Sequence, residues 1–208
     1  MAEDAGIDTG RIDGYWGPQT DYAYESLLHL QDYGVLPDDW RDESGTTRNP
    51  KNWPNQKYKD LVKFYGKPGP KHLVVVDLPY PHRLAWDLNT VVRRTRCHKK
   101  VADSYIRVLN DVISVYGMDR IRKLRLDHYG GGYNYRSMRG GNSWSTHAWG
   151  VAIDYDPANN KLKWGRDRAS FARSEYDDWW ACWEKEGWIS LGRVKNYDWM
   201  HVQAAMPN

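Results

Sequence analysis

The sequence predicts an α+β domain, a small antiparallel sheet flanked by helices. Three observations lead there. Helical and alternating segments are mixed along the chain without the regular strand–helix–strand rhythm of a parallel sheet. The alternating segments are short. No internal repeat, low-complexity tract or membrane-length apolar run interrupts them.

The elements follow in order. Residues 1–35 read as an N-terminal segment: a Gly-rich turn, then a helix. Gly17 and Pro18 suit its start, Ala23, Leu27 and Leu30 recur at helical spacing, and Gly34 ends it. Residues 36–55, "LPDDWRDESGTTRNPKNWPN", are polar and rich in Pro, Asp and Asn, and read as a linker to a main domain over 56–208. "QKYKDLVKFYGKPGP" is a short helix stopped at Gly66 and Pro68, and "HLVVVDLPY" a β-branched strand. Over 98–117, Val101, Tyr105, Val108, Leu109, Val112 and Val115 mark a helix that ends at Gly117. "KLRLDHY" alternates like a strand, and "GGGYNYRSMRGG" reads as a loop around a short aromatic strand. "GVAIDYD" is a strand and "RASFARSEYDDWWACWEKEG" an amphipathic helix. "WISLG" and "WMHVQ" are two further strands.

Composition narrows the function classes. The chain has 208 residues and carries 12 Trp and 15 Tyr but only 2 Phe, and its net charge is +3. Rings with a polar edge suit surfaces that are half apolar and half wet, although interiors are their default place. The charge mildly favours acidic partners. The basic run "RRTRCHKK", residues 93–100, reads as a solvated helix start, and neither a nucleic-acid nor a membrane partner is expected. Cys97 and Cys182 are expected as reduced, buried thiols. "MAEDAGIDTGRIDG" lacks the basic start and apolar run of a secretory signal, so synthesis in a cytoplasm is expected.

One stretch carries chemistry: "STHAWGVAIDYD", residues 145–156. In a strand, Val151 and Ile153 face the core and Asp154 faces an open side beside the small Ala152. His147 lies before Gly150, which permits the bend that brings the two side chains together. Near the C-terminus, "DWMHVQ" supplies His201, with Asp198 three residues earlier. Two histidines, one carboxylate and an open position make a catalytic zinc set, and a second carboxylate can act as general base.

Those residues resemble the paired motifs of the zinc D-alanyl-D-alanine peptidase family. Ser145 to Asp154 is similar to its S-x-H-x-x-G-x-A-x-D signature, and "DWMH" to its second motif. "YNYRSMRGG" resembles its arginine-bearing segment, and the likeness runs over roughly residues 53–204. The phage-borne L-alanyl-D-glutamate endopeptidases look closest. The resemblance implies a hedgehog/D,D-peptidase-like fold and one Zn2+ held by His147, Asp154 and His201. It implies Asp198 as general base and then acid, and Arg136 as the group that holds the oxyanion, with Arg139 as the rival. Ser145 takes a supporting role, and Trp144, Trp149 and Tyr135 are candidates for the substrate cleft. The implied substrate is a peptidoglycan stem peptide, cut by a monomeric phage endolysin made in the host cytoplasm and acting on the wall after release. A D-alanyl-D-alanine carboxypeptidase is the alternative enzyme, and a non-catalytic wall-binding or virion protein the alternative of another class. Separately, "IDGYWGPQT" resembles the turn of a common peptidoglycan-binding module, and a structural cap is the equal reading of that segment.

Overall fold

In the computed structural model, the described residues are 2–9, 14, 16–36, 49–138, 140, 141 and 143–207. Helix α1 (Pro18–Tyr33) starts with proline in its first turn and ends on Gly34, whose φ of 74° is the left-handed cap that glycine supplies. Helix α2 (Tyr58–Tyr65) stops at Gly66, as its sequence predicts. Strands β1 (Leu73–Leu84) and β2 (Asp87–His98) form a long hairpin, followed by helix α3 (Ala102–Lys123). Next come β3 (His128–Gly131), β4 (Ala152–Tyr155) and helix α4 (Asp177–Lys185). The chain closes with β5 (Ile189–Ser190), helix α5 (Leu191–Lys195) and β6 (His201–Gln203).

The six strands make one sheet in the order β2-β1-β3-β4-β6-β5. It is mixed, not purely antiparallel: β3 runs parallel to β1 at Arg83–His128 and Leu84–Tyr129. The cause is α3, which carries the chain from β2 across the sheet and returns it beside β1, a connection long enough for a parallel pair. Helix α3 changes direction at Gly117 (φ 65°, ψ 165°), where the sequence predicts its end; a further turn follows to Lys123. Among the described residues no helix is long and apolar enough to cross a membrane.

Several expectations are corrected. Residues 93–98 of the basic run belong to β2, not to a helix start, because Val91, Val92, Thr95 and Cys97 pair along β1 in spite of the arginines between them. "KLRLDHY" is strand only from His128; Leu124 and Leu126 are buried by the turn that ends α3. The Trp-rich helix begins at Asp177, after two separate single turns at Ser170–Ala172 and Ser174–Tyr176. "WISLG" and "WMHVQ" are strand only at 189–190 and 201–203. The linker lies outside the described residues except for 36 and 49–55. There Trp53 is buried in the main core and Asn55 bridges to Met206.

The core lies between the sheet, α3 and α4. Trp179, Trp180, Trp183 and Trp188 are all buried, so the interior is where these rings belong. Tyr105 stacks on Trp183 at 5.9 Å, and Tyr155 meets Trp179 edge-on at 5.0 Å. Two of the indole edges inside the core find partners, Trp188 Nε1 donating to Ser104 Oγ (3.0 Å) and Trp180 Nε1 to the Phe171 carbonyl (2.8 Å), whereas Nε1 of Trp53, Trp179 and Trp183 has none among the described residues. Both cysteines are buried free thiols. This packing fixes β4 and β6, the neighbouring inner strands that carry the site.

Candidate metal centre

Strand register builds the centre. β4 and β6 pair antiparallel with Asp154 directly opposite His201 and Ala152 opposite Gln203. These four side chains therefore share one face. Val151, Ile153 and Val202 take the core side and are buried. His147 arrives from a single helical turn, Thr146–Trp149, just before β4. The Ser145 side chain caps that turn, accepting from the His147 N–H at 3.4 Å. Gly150 then reverses the chain with φ 68° and ψ 33°. A Cβ there would lie 2.6 Å from Leu73 Cδ2 and 3.1 Å from the His98 nitrogen, so only glycine fits.

The result is a tight triangle. His147 Nε2 lies 3.2 Å from His201 Nδ1 and 3.3 Å from Asp154 Oδ1, and His201 Nδ1 lies 3.0 Å from the same Asp154 oxygen. Both histidines are buried and Asp154 nearly so.

Neighbouring hydrogen bonds decide what those nitrogens carry. His147 Nδ1 donates to the Gly132 carbonyl at 2.6 Å, which leaves Nε2 a bare lone pair. His201 Nε2 donates to Gln203 Oε1 at 3.0 Å, which leaves Nδ1 bare. The orientation of Gln203 is itself fixed, because its Nε2 donates to Gln56 Oε1 (3.0 Å) and to the Ala205 carbonyl (2.9 Å). Thr146 Oγ1 donates to the same Gln203 oxygen at 3.2 Å. Three acceptors thus converge on one point, an arrangement that repels itself unless a cation or a shared proton sits there. When a shared proton rather than a cation fills that point, the charge and hydrogen bonds of His147 and His201 hold the Asp154 carboxyl well below the ordinary carboxylate range, although burial alone would raise it. Burial alone would likewise lower His201, but the hydrogen bond it donates to Asp154 when protonated and the charges of Asp154 and Asp198 raise it.

The donor set fits a divalent metal. His147, Asp154 and His201 are the group among the described residues that could hold one, with ligand atoms all within 4.8 Å of one another. A tetrahedral zinc with ligands at about 2.0–2.2 Å has edges of about 3.3–3.6 Å. Edges of 3.0, 3.2 and 3.3 Å form one face of such a tetrahedron once they lengthen by a few tenths of an ångström, and leave its fourth corner without a ligand among the described residues. Each histidine has the outer hydrogen bond that a ligating imidazole needs.

Asp198 and Arg136 lie on segments that adjoin the ligands. Asp198 sits at φ 55°, at the head of a tight turn closed by the His201 N–H on its carbonyl (3.0 Å). That turn, not a strand, carries Trp199 and Met200, and Trp199 is buried by it. Arg136 lies on a ribbon in which 134–138 runs antiparallel to 143–147, joined at Asn134–His147, Arg136–Ser145 and Met138–Ser143. Its guanidinium turns onto the Ser137 carbonyl (3.0 Å), and among the described residues it touches none of the three ligands. Arg139 lies outside the described residues. Tyr135 and Trp144 pack ring to ring at 4.7 Å on the ribbon. Trp149 is almost wholly buried, bonded through Nε1 to the Gly66 carbonyl (2.8 Å), yet with Trp144 it lines a groove of about 390 Å³ beside Tyr58 and Gln56.

Sequence reasoning missed the outer partners. Gln203 carries a signal, since it stands two residues beyond His201 on the same strand face. Gly132 carries none, because it acts through a backbone carbonyl. Comparison of the chain with protein-family models, with characterised proteins and with solved structures found no match.

Proposed function

We propose that this chain is a zinc-dependent peptidoglycan hydrolase that cuts an internal bond of the stem peptide, with a hedgehog/D,D-peptidase-like fold and the role of a phage endolysin. The observation that carries the reading is the convergence of three bare acceptors, His147 Nε2, His201 Nδ1 and Asp154 Oδ1, at 3.0–3.3 Å. The motif resemblance of residues 145–154 and 198–201 supplies the reaction class. Bound zinc would polarise a peptide carbonyl and bring the pKa of a water to about 7. The chain's own residues do the rest. Gly132 and Gln203 hold the two imidazoles in the ligating tautomer. Asp198, whose charge already reaches His201, takes the proton of the attacking water and returns it to the leaving amine. Arg136 would have to leave the Ser137 carbonyl to meet an oxyanion.

Two grooves, one lined by Gly132 that bonds His147 and one by Gln56 that bonds Gln203, favour an extended substrate over a chain end, and so an endopeptidase over a carboxypeptidase. On this reading the enzyme works as a monomer, after release to the wall.

The test is turbidity loss of outer-membrane-stripped Gram-negative cells. Wild type should clear them, EDTA should abolish clearing and added zinc should restore it. Asp198→Asn should slow clearing about 10²–10⁴-fold while keeping its zinc. A folded, zinc-loaded wild type that clears nothing overturns the reading, and sequencing the released ends names the bond.

A further inference from the structure

The trough beside β3 supplies none of the catalytic groups above. It arises because the β1–β2 hairpin curls. Register is lost between Asp77–Arg94 and His82–Val92, where Pro79 and Pro81 cannot donate to the ladder. The curl brings the base of β2 against the end of β3, where Thr95 Oγ1 and the Tyr129 hydroxyl bond at 2.6 Å. The hollow holds about 470 Å³, between Arg94, Arg96 and Trp86 on the hairpin, Tyr129 on β3, and Gly132 and Tyr133 just beyond it.

Three features give this hollow a chemistry. Arg94 and Arg96 are two apart on one strand and point to the same face. Arg94 is answered by Asp77 at 2.6 Å, whereas among the described residues no carboxylate pairs with Arg96. The wall therefore carries an uncompensated guanidinium, a planar fork that matches a carboxylate. The floor is Gly132, whose carbonyl takes the His147 Nδ1 proton. An occupant of the trough thus lies one residue from a metal ligand. The other groove combines rings and apolar chains, Tyr58, Trp144 and Trp149 among them, with Gln56, Ser143 and, among the described residues, a single cation, Lys57.

We infer that this trough is a carboxylate subsite: Arg96, seconded by Arg94, holds a free carboxylate of the substrate peptide next to the bond that the metal centre addresses. The inference rests on the proposed function. It adds that the chain selects wall peptides by their free carboxylates, which ordinary polypeptide backbone lacks and which amidation removes.

Calorimetric titration tests it. The probes are one soluble stem peptide in free-acid and amidated forms, titrated into the zinc-loaded full chain carrying Asp198→Asn to stop turnover. The free acid should bind about ten- to hundredfold tighter, the range expected of one charge-assisted contact. Adding Arg96→Ala should remove that preference and leave the affinity for the amidated form unchanged, and Arg96→Lys should restore part of it. Arg96 is exposed, so zinc content and melting temperature should not move. Equal affinity for the two forms, a preference that survives Arg96→Ala, or no binding of either peptide overturns the inference. Hydrolysis of both peptides by wild type is read separately. Cleavage without a carboxylate preference removes the subsite and keeps the hydrolase, and a preference without cleavage does the reverse.

Discussion

Gln203 stands two residues beyond His201 on β6, and its side-chain oxygen accepts the His201 Nε2 proton at 3.0 Å. That contact leaves Nδ1, not Nε2, to face Asp154 and His147. The Gln203 amide is held by Gln56 and Ala205, so the choice of nitrogen is set by atoms that never touch the ligand point.

Replacing Gln203 with leucine should therefore weaken zinc binding about 10–100-fold, the usual range for an outer partner of a ligating histidine. Gln203→Glu keeps the acceptor and should lose less. Competition against a chelator of known affinity measures both. Equal affinity in wild type and Gln203→Leu would show that the tautomer is fixed by something else.

Metal should also stabilise the fold. Zinc present at a hundred times its dissociation constant adds about 2.7 kcal/mol, because the three ligands meet only in the folded chain. For a domain of this size the melting temperature should rise by about 5–10 °C over an EDTA-treated sample. Asp154→Ala removes one corner of the triangle and should flatten that response. A variant that keeps the full shift would place the ion elsewhere.

Much of the centre was legible in the sequence, for a local reason. The alternation of Val151, Ala152, Ile153 and Asp154 and the glycine at 150 are written in consecutive residues. Strand periodicity then predicts which side chains share a face, and Asp154 and His201 do. What was hidden is non-local. The Gly132 carbonyl reaches His147 from a separate segment and has no side chain to betray it. Pro79 and Pro81 disguised the second half of β1, which continues beyond Tyr80 as a curled strand. The arginines of 93–96 masked the β-branched residues that pair β2 with β1. The parallel contact of β3 with β1 follows from where α3 delivers the chain, which no short window contains.

Acid should loosen the fold in a defined window. Arg107 grips Glu186 through both guanidinium arms, at 2.9 and 2.8 Å, and Lys51 adds a contact at 3.4 Å. The hydrogen bonds from Arg107 outweigh the effect of burial and bring the carboxyl from 4.5 down to about 2. A depressed acid stabilises the folded chain above its unfolded pKa and loses that contribution as pH falls through the folded value. The contribution is on the order of 2 kcal/mol after allowing for the solvent around the exposed Arg107. Wild type should thus lose melting temperature between pH 4.5 and 2 more steeply than Glu186→Gln, and the two curves should approach each other at the acid end. Parallel curves would remove Glu186 from the account.

Gly132 offers a sharper test of the centre's construction. A Cβ at this position would lie 2.7 Å from the Tyr129 hydroxyl, too close for carbon and oxygen without movement. The carbonyl that holds His147 belongs to the same residue, so Gly132→Ala should turn the His147 ring and weaken zinc binding about tenfold or more. Tyr129→Phe deletes the obstructing oxygen, at the expense of its bond to Thr95, and alone should leave zinc affinity nearly unchanged. If the clash is the cause, the double variant should recover most of the affinity that Gly132→Ala loses, a coupling readable from the four proteins of the cycle. Strict additivity of the two effects would mean that Gly132 acts through backbone freedom and not through room beside Tyr129.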